Sequence, residues 1–520
     1  MKISHQEGQL KFTSSSLFVF LVGLAAASGQ IPYPNPINHV IIIDQENRSL
    51  DNLLGSNSPS NLYYLPGLNA SRAGKAYTIS NGVKQVFRVN SVAIPMASVP
   101  GSPSSIDADD YDPTHSHEPA FTESCDAPLI TDPSNKCLMD GFNQVRVQCY
   151  PGVKGCPGPK YPTYAYVQYS DVEPYFQMAS RYGYANRMFQ TNQGSSFPSH
   201  QFTFGGTSQP GVGSEPTWFV VENQTPNTNA NGCIALPQET VRLVNPATAD
   251  ENTPIYPCFT HRTMADLFVT HNPPITWTYY TTGYPSLWSA PNAISTICTN
   301  SAGACAGPYW TKGAANGYVD PLPSDVLTDI DNCALNQVDW VIPIGLQSDH
   351  ATLTDGSGPS WVASIVNAIG ESRCTDVVDG HTLTYWQDSV ILITWDDWGG
   401  WYDHVVPPPV PAKAPPEASS YVYGFRVPLL VVSAYTPAGT VSNRNLDFGA
   451  MLKFTEEIFG GLGTISNDPL NRYADYYAYD DLSEFFQFTQ PPRSFETIQA
   501  PLDKSVFLDP NRPAEPPDND

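Results

Sequence analysis

Four short runs of β-branched and aliphatic residues constrain the fold most: His39 to Asp44 (HVIIID), Val338 to Ile344 (VDWVIPI), Val390 to Trp395 (VILITW) and Val427 to Ser433 (VPLLVVS). Their near-continuous apolar character predicts strands buried on both faces. Between them lie segments with apolar residues at a period near 3.6, such as Pro359 to Ile369 and Phe448 to Phe459. Strands alternating with helices predict an α/β fold with a mostly parallel sheet covered on both sides. Pro343 cannot donate to a ladder, which moves the second run toward an edge.

In such sheets ligands bind beyond the carboxyl ends of the strands. Two of the predicted strands run directly into polar clusters: the first into Gln45-Glu46-Asn47-Arg48-Ser49, the third into Asp396-Asp397. Both clusters should meet at one rim of the sheet. From about residue 205 to 322 the chain turns rich in Asn, Thr, Pro, Tyr and Trp with weak periodicity, which predicts a long loop-rich insertion around the site mouth with one helix near Arg262 to Thr270. Aromatic residues there, Tyr279, Tyr280, Trp288 and Trp310, would either ring that mouth or belong to the core.

At 520 residues, one large catalytic domain spanning 30–489 accounts for most of the chain. Residues 1–29 carry Lys2 and Lys11, then the apolar run Leu17 to Ala27, then Ser28 and Gly29. That order reads as a signal peptide, since the run is shorter than the roughly 20 residues a membrane anchor needs. Residues 490–520 are Pro-rich and acidic and predict an extended tail. Ten cysteines fit an oxidising, secreted or periplasmic location. Cys125 with Cys137, Cys149 with Cys156, and Cys298 with Cys305 are close enough to close short loops, and no CxxC pair suggests a thiolate metal site. The net charge of −25 repels nucleic acid and an anionic bilayer, so a phosphate substrate must be drawn in by a local positive centre.

A single divalent cation is the obvious such centre. Glu46 and Asn47 offer oxygen donors suited to one, although Asn47 or Ser49 could instead cap a following helix. Asp396 and Asp397 repel one another unless a cation or proton neutralises them, although acidic surface turns are common. In Asn192-Gln193-Gly194-Ser195-Ser196-Phe197-Pro198-Ser199-His200 a serine sits in a glycine-containing turn open to substrate, or in a plain serine-rich loop. The turn lacks the closing glycine of a lipase-type nucleophile elbow. His115, His117 and His350 could protonate a leaving alkoxide or stabilise phosphoryl oxygens, and His404 reads better as structural.

Taken in order, these segments resemble the bacterial phosphoesterase family that includes haemolytic and non-haemolytic phospholipases C and a periplasmic acid phosphatase. The resemblance runs through Glu46-Asn47-Arg48-Ser49-Leu50-Asp51, Asp112 to His115, Met139-Asp140-Gly141-Phe142, Gly194-Ser195-Ser196-Phe197-Pro198, Ser348-Asp349-His350, Asp396-Asp397-Trp398-Gly399-Gly400, Asp403-His404-Val405 and Gly424-Phe425-Arg426-Val427-Pro428, across about 36 to 460. It implies an alkaline-phosphatase-like α/β/α sandwich with one metal of unknown identity on Glu46, Asn47, Ser196, Asp396 and Asp397. It further implies attack by Ser196 to give a phosphoserine, with His115 and His350 assisting. Serine where the phospholipases use threonine points toward the phosphatase branch, Ser199-His200 replaces the family's Asn-Arg, and Asp447-Phe448-Gly449-Ala450 lacks a family histidine.

The leading expectation is therefore an acid phosphatase acting on small phosphate esters, with no stable membrane anchor. The alternative within enzymes is a phospholipase C acting on phospholipid headgroups. From another class, a catalytically silent surface or carbohydrate-binding protein could keep this fold without turnover.

Overall fold

The computed structural model describes residues 35–513 apart from 98–110, 127–136, 150–157, 212–217, 227–230, 246–247, 249, 283–285, 410–421 and 466–472. The expected signal peptide, Cys156 and the last residues of the tail lie outside the described residues.

An eight-stranded sheet organises the chain. Its strands are β1 (His39–Gln45), β2 (Gly183–Ala185), β3 (Trp277–Tyr280), β4 (Gly317–Asp320), β5 (Val338–Val341), β6 (Ser389–Trp395), β7 (Leu429–Ser433) and β8 (Thr440–Ser442). Their spatial order is β4-β3-β5-β1-β6-β7-β2-β8, and all but β7 run in one direction. Central β1 pairs Ile43 with Val341 on one side and Ile393 on the other, and every residue of it is buried. A strand with no solvent face has no place for alternating polar residues, which is why HVIII reads as an unbroken apolar run.

Helices cover both faces: α1 (Leu50–Leu54), α2 (Tyr169–Arg181), α3 (Ser196–Gly205), α4 (Met264–Thr270), α5 (Asp325–Asp331), α6 (Gly358–Glu371) and α7 (Phe448–Ile458). On one face the Gln45 amide donates to the Tyr175 hydroxyl of α2 at 3.1 Å, and the Tyr175 ring meets Trp395 edge-on at 5.0 Å. On the other face Phe204 of α3 and Phe268 of α4 pack on Trp340, whose Nε1 donates to the Thr203 carbonyl at 3.0 Å. The predicted mostly parallel α/β architecture is the one observed.

Four expectations need correction or refinement. β5 is not an edge strand but lies between β3 and β1; it ends at Val341, so Pro343 falls beyond the ladder and disrupts nothing. The stretch from 205 to 322 supplies two strands of the main sheet, β3 and β4, as well as α4. Tyr279, Tyr280 and Trp288 are buried and only Trp310 is half-buried, so these aromatics are core rather than a ring at the mouth. The start of the tail is pinned to the body, with Asn367 of α6 exchanging two hydrogen bonds with the Ile498 backbone.

Described disulfides join Cys125 to Cys137, Cys233 to Cys258, Cys298 to Cys305 and Cys333 to Cys374. Among the described residues no helix is long and apolar enough to cross a membrane.

The end of β1 remote from the site carries a buried ionic group. His39 Nδ1 faces the Asn336 carbonyl at 2.5 Å and Nε2 faces Asp376 at 2.7 Å. Burial pulls the imidazole pKa down, but the hydrogen bond to Asp376 and the charge of Asp388 outweigh it and hold it above 6.5. A histidine bound more tightly to its proton when folded contributes stability below its unfolded pKa and loses it as pH rises through the folded value. Compared with His39→Gln, the wild-type protein should therefore lose unfolding free energy as pH climbs past about 6.5. Denaturant midpoints measured across that range check this, and a constant gap between the two proteins would contradict it.

Candidate active site

The rim of the sheet is built by register. Asp44 lies opposite Thr394 and Gln45 opposite Trp395, so Glu46 and Asp396 leave the neighbouring strands β1 and β6 side by side. The Asp396 amide donates to the Gln45 carbonyl at 2.9 Å, and the Glu46 amide to the Ser348 carbonyl at 2.8 Å, which draws in the loop after β5. Asn47 adopts a left-handed conformation, φ 60°, and its amide donates to Asp396 Oδ1 at 2.9 Å. Gly399 closes against it, with φ 59° and no space for a side chain: a Cβ would stand 2.2 Å from the Asn47 carbonyl oxygen. The Gly399 amide in turn donates to Asp397 Oδ1 at 2.7 Å, fixing that carboxylate.

Ser196 opens α3, after a turn in which Gly194 presses against the backbone of Val221. Its hydroxyl lies 3.2 Å from Asp397 Oδ2 and 3.5 Å from Asn47 Oδ1. The amino end of a helix favours negative charge, which suits a serine oxygen losing its proton. The Asn47 amide nitrogen donates to His115 Nε2 at 3.1 Å, and that nitrogen is 3.9 Å from Asp397 Oδ2. The rings of His115 and His350 lie 6.2 Å apart.

Buried Arg48 orders the His350 loop by donating from Nε and Nη2 to the Asp349 carbonyl at 2.8 and 2.5 Å. Asp349 accepts from Tyr175 and Trp395 at 2.7 and 3.2 Å, which holds the loop from below. Of the remaining histidines, His117 pairs with Glu251, away from Asp397. His404 is structural, facing Asp51 at 2.7 Å beside Arg426, which clasps Asp403 with two donors. Ser49 caps α1, so the capping and the oxygen-donor readings of that segment hold for different residues. A cavity of about 300 Å³ opens on His115 and Ser195 and is walled by Glu118, Glu222, Glu251 and Arg242.

Sequence reading missed two groups. His200, one turn after Ser196, places Nε2 3.1 Å from Glu46 Oε1 and 3.8 Å from Asp396 Oδ2, while its Nδ1 is 3.6 Å from Asp44 Oδ2. Both groups carried a faint signal: Ser196 and His200 share a helix face, and Asp44 and Glu46 share a strand face.

Asp44, Glu46, Asp396, Asp397 and His200 are all fully buried. Burial, then the charge of Asp396, pushes Glu46 and Asp44 well above the ordinary carboxylate range and Asp397 to about 7. Burial lowers His200 to about 4, which keeps its ring neutral. Glu46 Oε2 and Asp396 Oδ2 meet no hydrogen-bond donor among the described residues. Buried like charges with unsatisfied oxygens and a neutral imidazole are what a cation would complete, so these residues fit a divalent metal.

The sequence profile of the Phosphoesterase family matches residues 37–462. The chain belongs to the phosphoesterase family. Curated relatives include phospholipase C A of Mycobacterium tuberculosis, 26% identical over 35% of each chain. Non-hemolytic phospholipase C of Burkholderia pseudomallei is 28% identical over 37% of this chain and 28% of its own length. The chain thus spans about a third of the length of the curated relatives it matches. Among solved structures, a Vibrio parahaemolyticus protein in the alkaline phosphatase superfamily superposes with a TM-score of 0.29 at 11% identity, covering 58% of this chain and 65% of that one.

The contact between Gly399 and Asn47 gives a direct check on this geometry. Gly399→Ala should destabilise the fold by roughly 1–3 kcal/mol, because it adds both a positive-φ penalty and a clash. Chemical denaturation measures this, and a variant as stable as the parent would show that the Asn47 turn does not need the glycine.

Proposed function

We propose that this phosphoesterase is a secreted, metal-dependent enzyme of the phospholipase C type that cleaves phosphate esters through Ser196. The observation that carries the reading is the placement of the Ser196 hydroxyl within 3.2 Å of Asp397 and 3.5 Å of Asn47, in a pocket of buried, undercompensated carboxylates. The disulfides support an oxidising location.

Glu46, Asn47, Asp396 and Asp397 would hold the divalent cation, with the Ser196 oxygen turned toward it. Such a cation supplies the positive charge that acidifies a hydroxyl and neutralises phosphoryl oxygens. Asp397 and Asn47 orient Ser196 Oγ; its hydroxyl proton passes to Asp397, to which it donates, and the oxygen forms a bond to phosphorus as the bond to the leaving alkoxide breaks. His115, held by Asn47, and His350, held by the Arg48-ordered loop, stabilise the equatorial oxygens and deliver a proton to the alkoxide. Water then releases phosphate or phosphoalcohol from the phosphoserine.

The phospholipases C among the relatives favour a phosphodiester substrate, a phospholipid headgroup, over the phosphomonoester expected from the sequence. The serine at position 196 is the feature that favours the acid phosphatase reading. Assays on phosphatidylcholine and on nitrophenyl phosphate separate the two, and turnover of the monoester alone overturns the phospholipase reading. Ser196→Ala should reduce kcat by at least about 10³-fold in either case while leaving the melting curve unchanged. Full activity in that variant removes the serine from the chemistry.

A further inference from the structure

His200 Nε2 borders the place where an ion shared by Glu46 and Asp396 would sit, and among the ligand atoms of these three residues it is the one nitrogen. Ligand atoms of the three residues lie within 4.8 Å of one another and all three side chains are fully buried. Two donors bound to one ion at about 2.1 Å stand roughly 3.0–3.4 Å apart for ordinary bond angles. The Nε2 separation of 3.1 Å from Glu46 Oε1 falls within that spacing, and that of 3.8 Å from Asp396 Oδ2 lies just beyond it.

Two further observations point the same way. Glu46 Oε2 and Asp396 Oδ2 are buried without a donor, so the His200 contact at Glu46 Oε1 and the Asn47 backbone amide at Asp396 Oδ1 leave one oxygen of each carboxylate uncompensated. His200 Nδ1 is buried without a hydrogen-bond partner among the described residues and lies 3.6 Å from Asp44 Oδ2. A carboxylate drawn onto that nitrogen would set the tautomer of a ligating histidine and leave Nε2 free to bind.

We propose that His200 Nε2 is a direct ligand of the ion held by Glu46 and Asp396, giving a mixed nitrogen and oxygen donor set. This rests on the metal-dependent reading above and adds to it a preference in metal class. An imidazole favours Zn²⁺, Fe²⁺, Ni²⁺ or Cu²⁺, whereas an all-oxygen set suits Mg²⁺, Ca²⁺ or Mn²⁺. His200 then links α3, which carries Ser196, directly to the metal bound at the ends of β1 and β6.

The full-length protein, stripped with a chelator and reloaded with Mn²⁺, should show imidazole nitrogen modulation in electron spin-echo spectra. Calorimetric titration of wild type and His200→Gln should show Zn²⁺ affinity falling by at least about 100-fold in the variant and Ca²⁺ affinity by no more than a few fold. Equal losses for both ions, or bound Mn²⁺ without nitrogen modulation, overturn the direct ligand and leave His200 as a hydrogen-bond partner of Glu46. Failure of the wild-type protein to bind any of these ions overturns the metal-dependent reading as well. The spin-echo measurement needs no variant, so a misfolded His200→Gln leaves the test intact.

Discussion

Like charge confined out of water is the constraint on which the rest of the site depends. β1 and β6 are adjacent and in register, so their last residues deliver Glu46 and Asp396 to one dry place, with Asp44 and Asp397 beside them. Two carboxylates some 4–5 Å apart repel by on the order of 3–4 kcal/mol at the effective dielectric of a protein. Several such pairs would consume much of the 5–15 kcal/mol that stabilises an ordinary domain. A sheet that tolerates them must take up protons or a cation there, and folding and ligand uptake become linked.

Around that point the chain uses buried cations as fasteners rather than as surface charge. Arg48 orders the loop that bears His350, and Arg426 ties the loop after β6 to α1 through Asp403 and Asp51. Each guanidinium is fully buried and spends its donors on carbonyl or carboxylate oxygens, so Arg48 joins the His350 loop to α1 and Arg426 fixes several segments at once. Planar, many-donor geometry makes arginine suited to this and lysine not. The left-handed turn at Asn47 is strained, and it is held by the Asp396 carboxylate on one side and by Gly399 on the other.

Much of the scaffold was legible from residue order. HVIIID and VILITW announce buried parallel strands because a strand enclosed on all sides admits only apolar side chains, and the polar residues that follow mark the strands' carboxyl ends. Where such logic depends on neighbours it fails. β3 and β4 are short and rich in Tyr, Trp and Gly, with no run long enough to stand out, so their place in the sheet was hidden in what reads as loop. Pro343 argued for an edge at β5 only if the strand extended that far, and a strand's end is set by its partners.

Order along the chain by itself determined the α/β class, the strands that carry the acidic residues, and the family to which those segments belong. Only the tertiary structure decided that His115 rather than His117 faces Asp397, that His404 serves Asp51 and Arg426, and that His200 and Asp44 enclose the acidic group. Local pattern reports which face of its own strand or helix a residue occupies. Which faces of different elements meet is set by register and packing between segments as much as 352 positions apart, as with Asp44 and Asp396, and no local period encodes that.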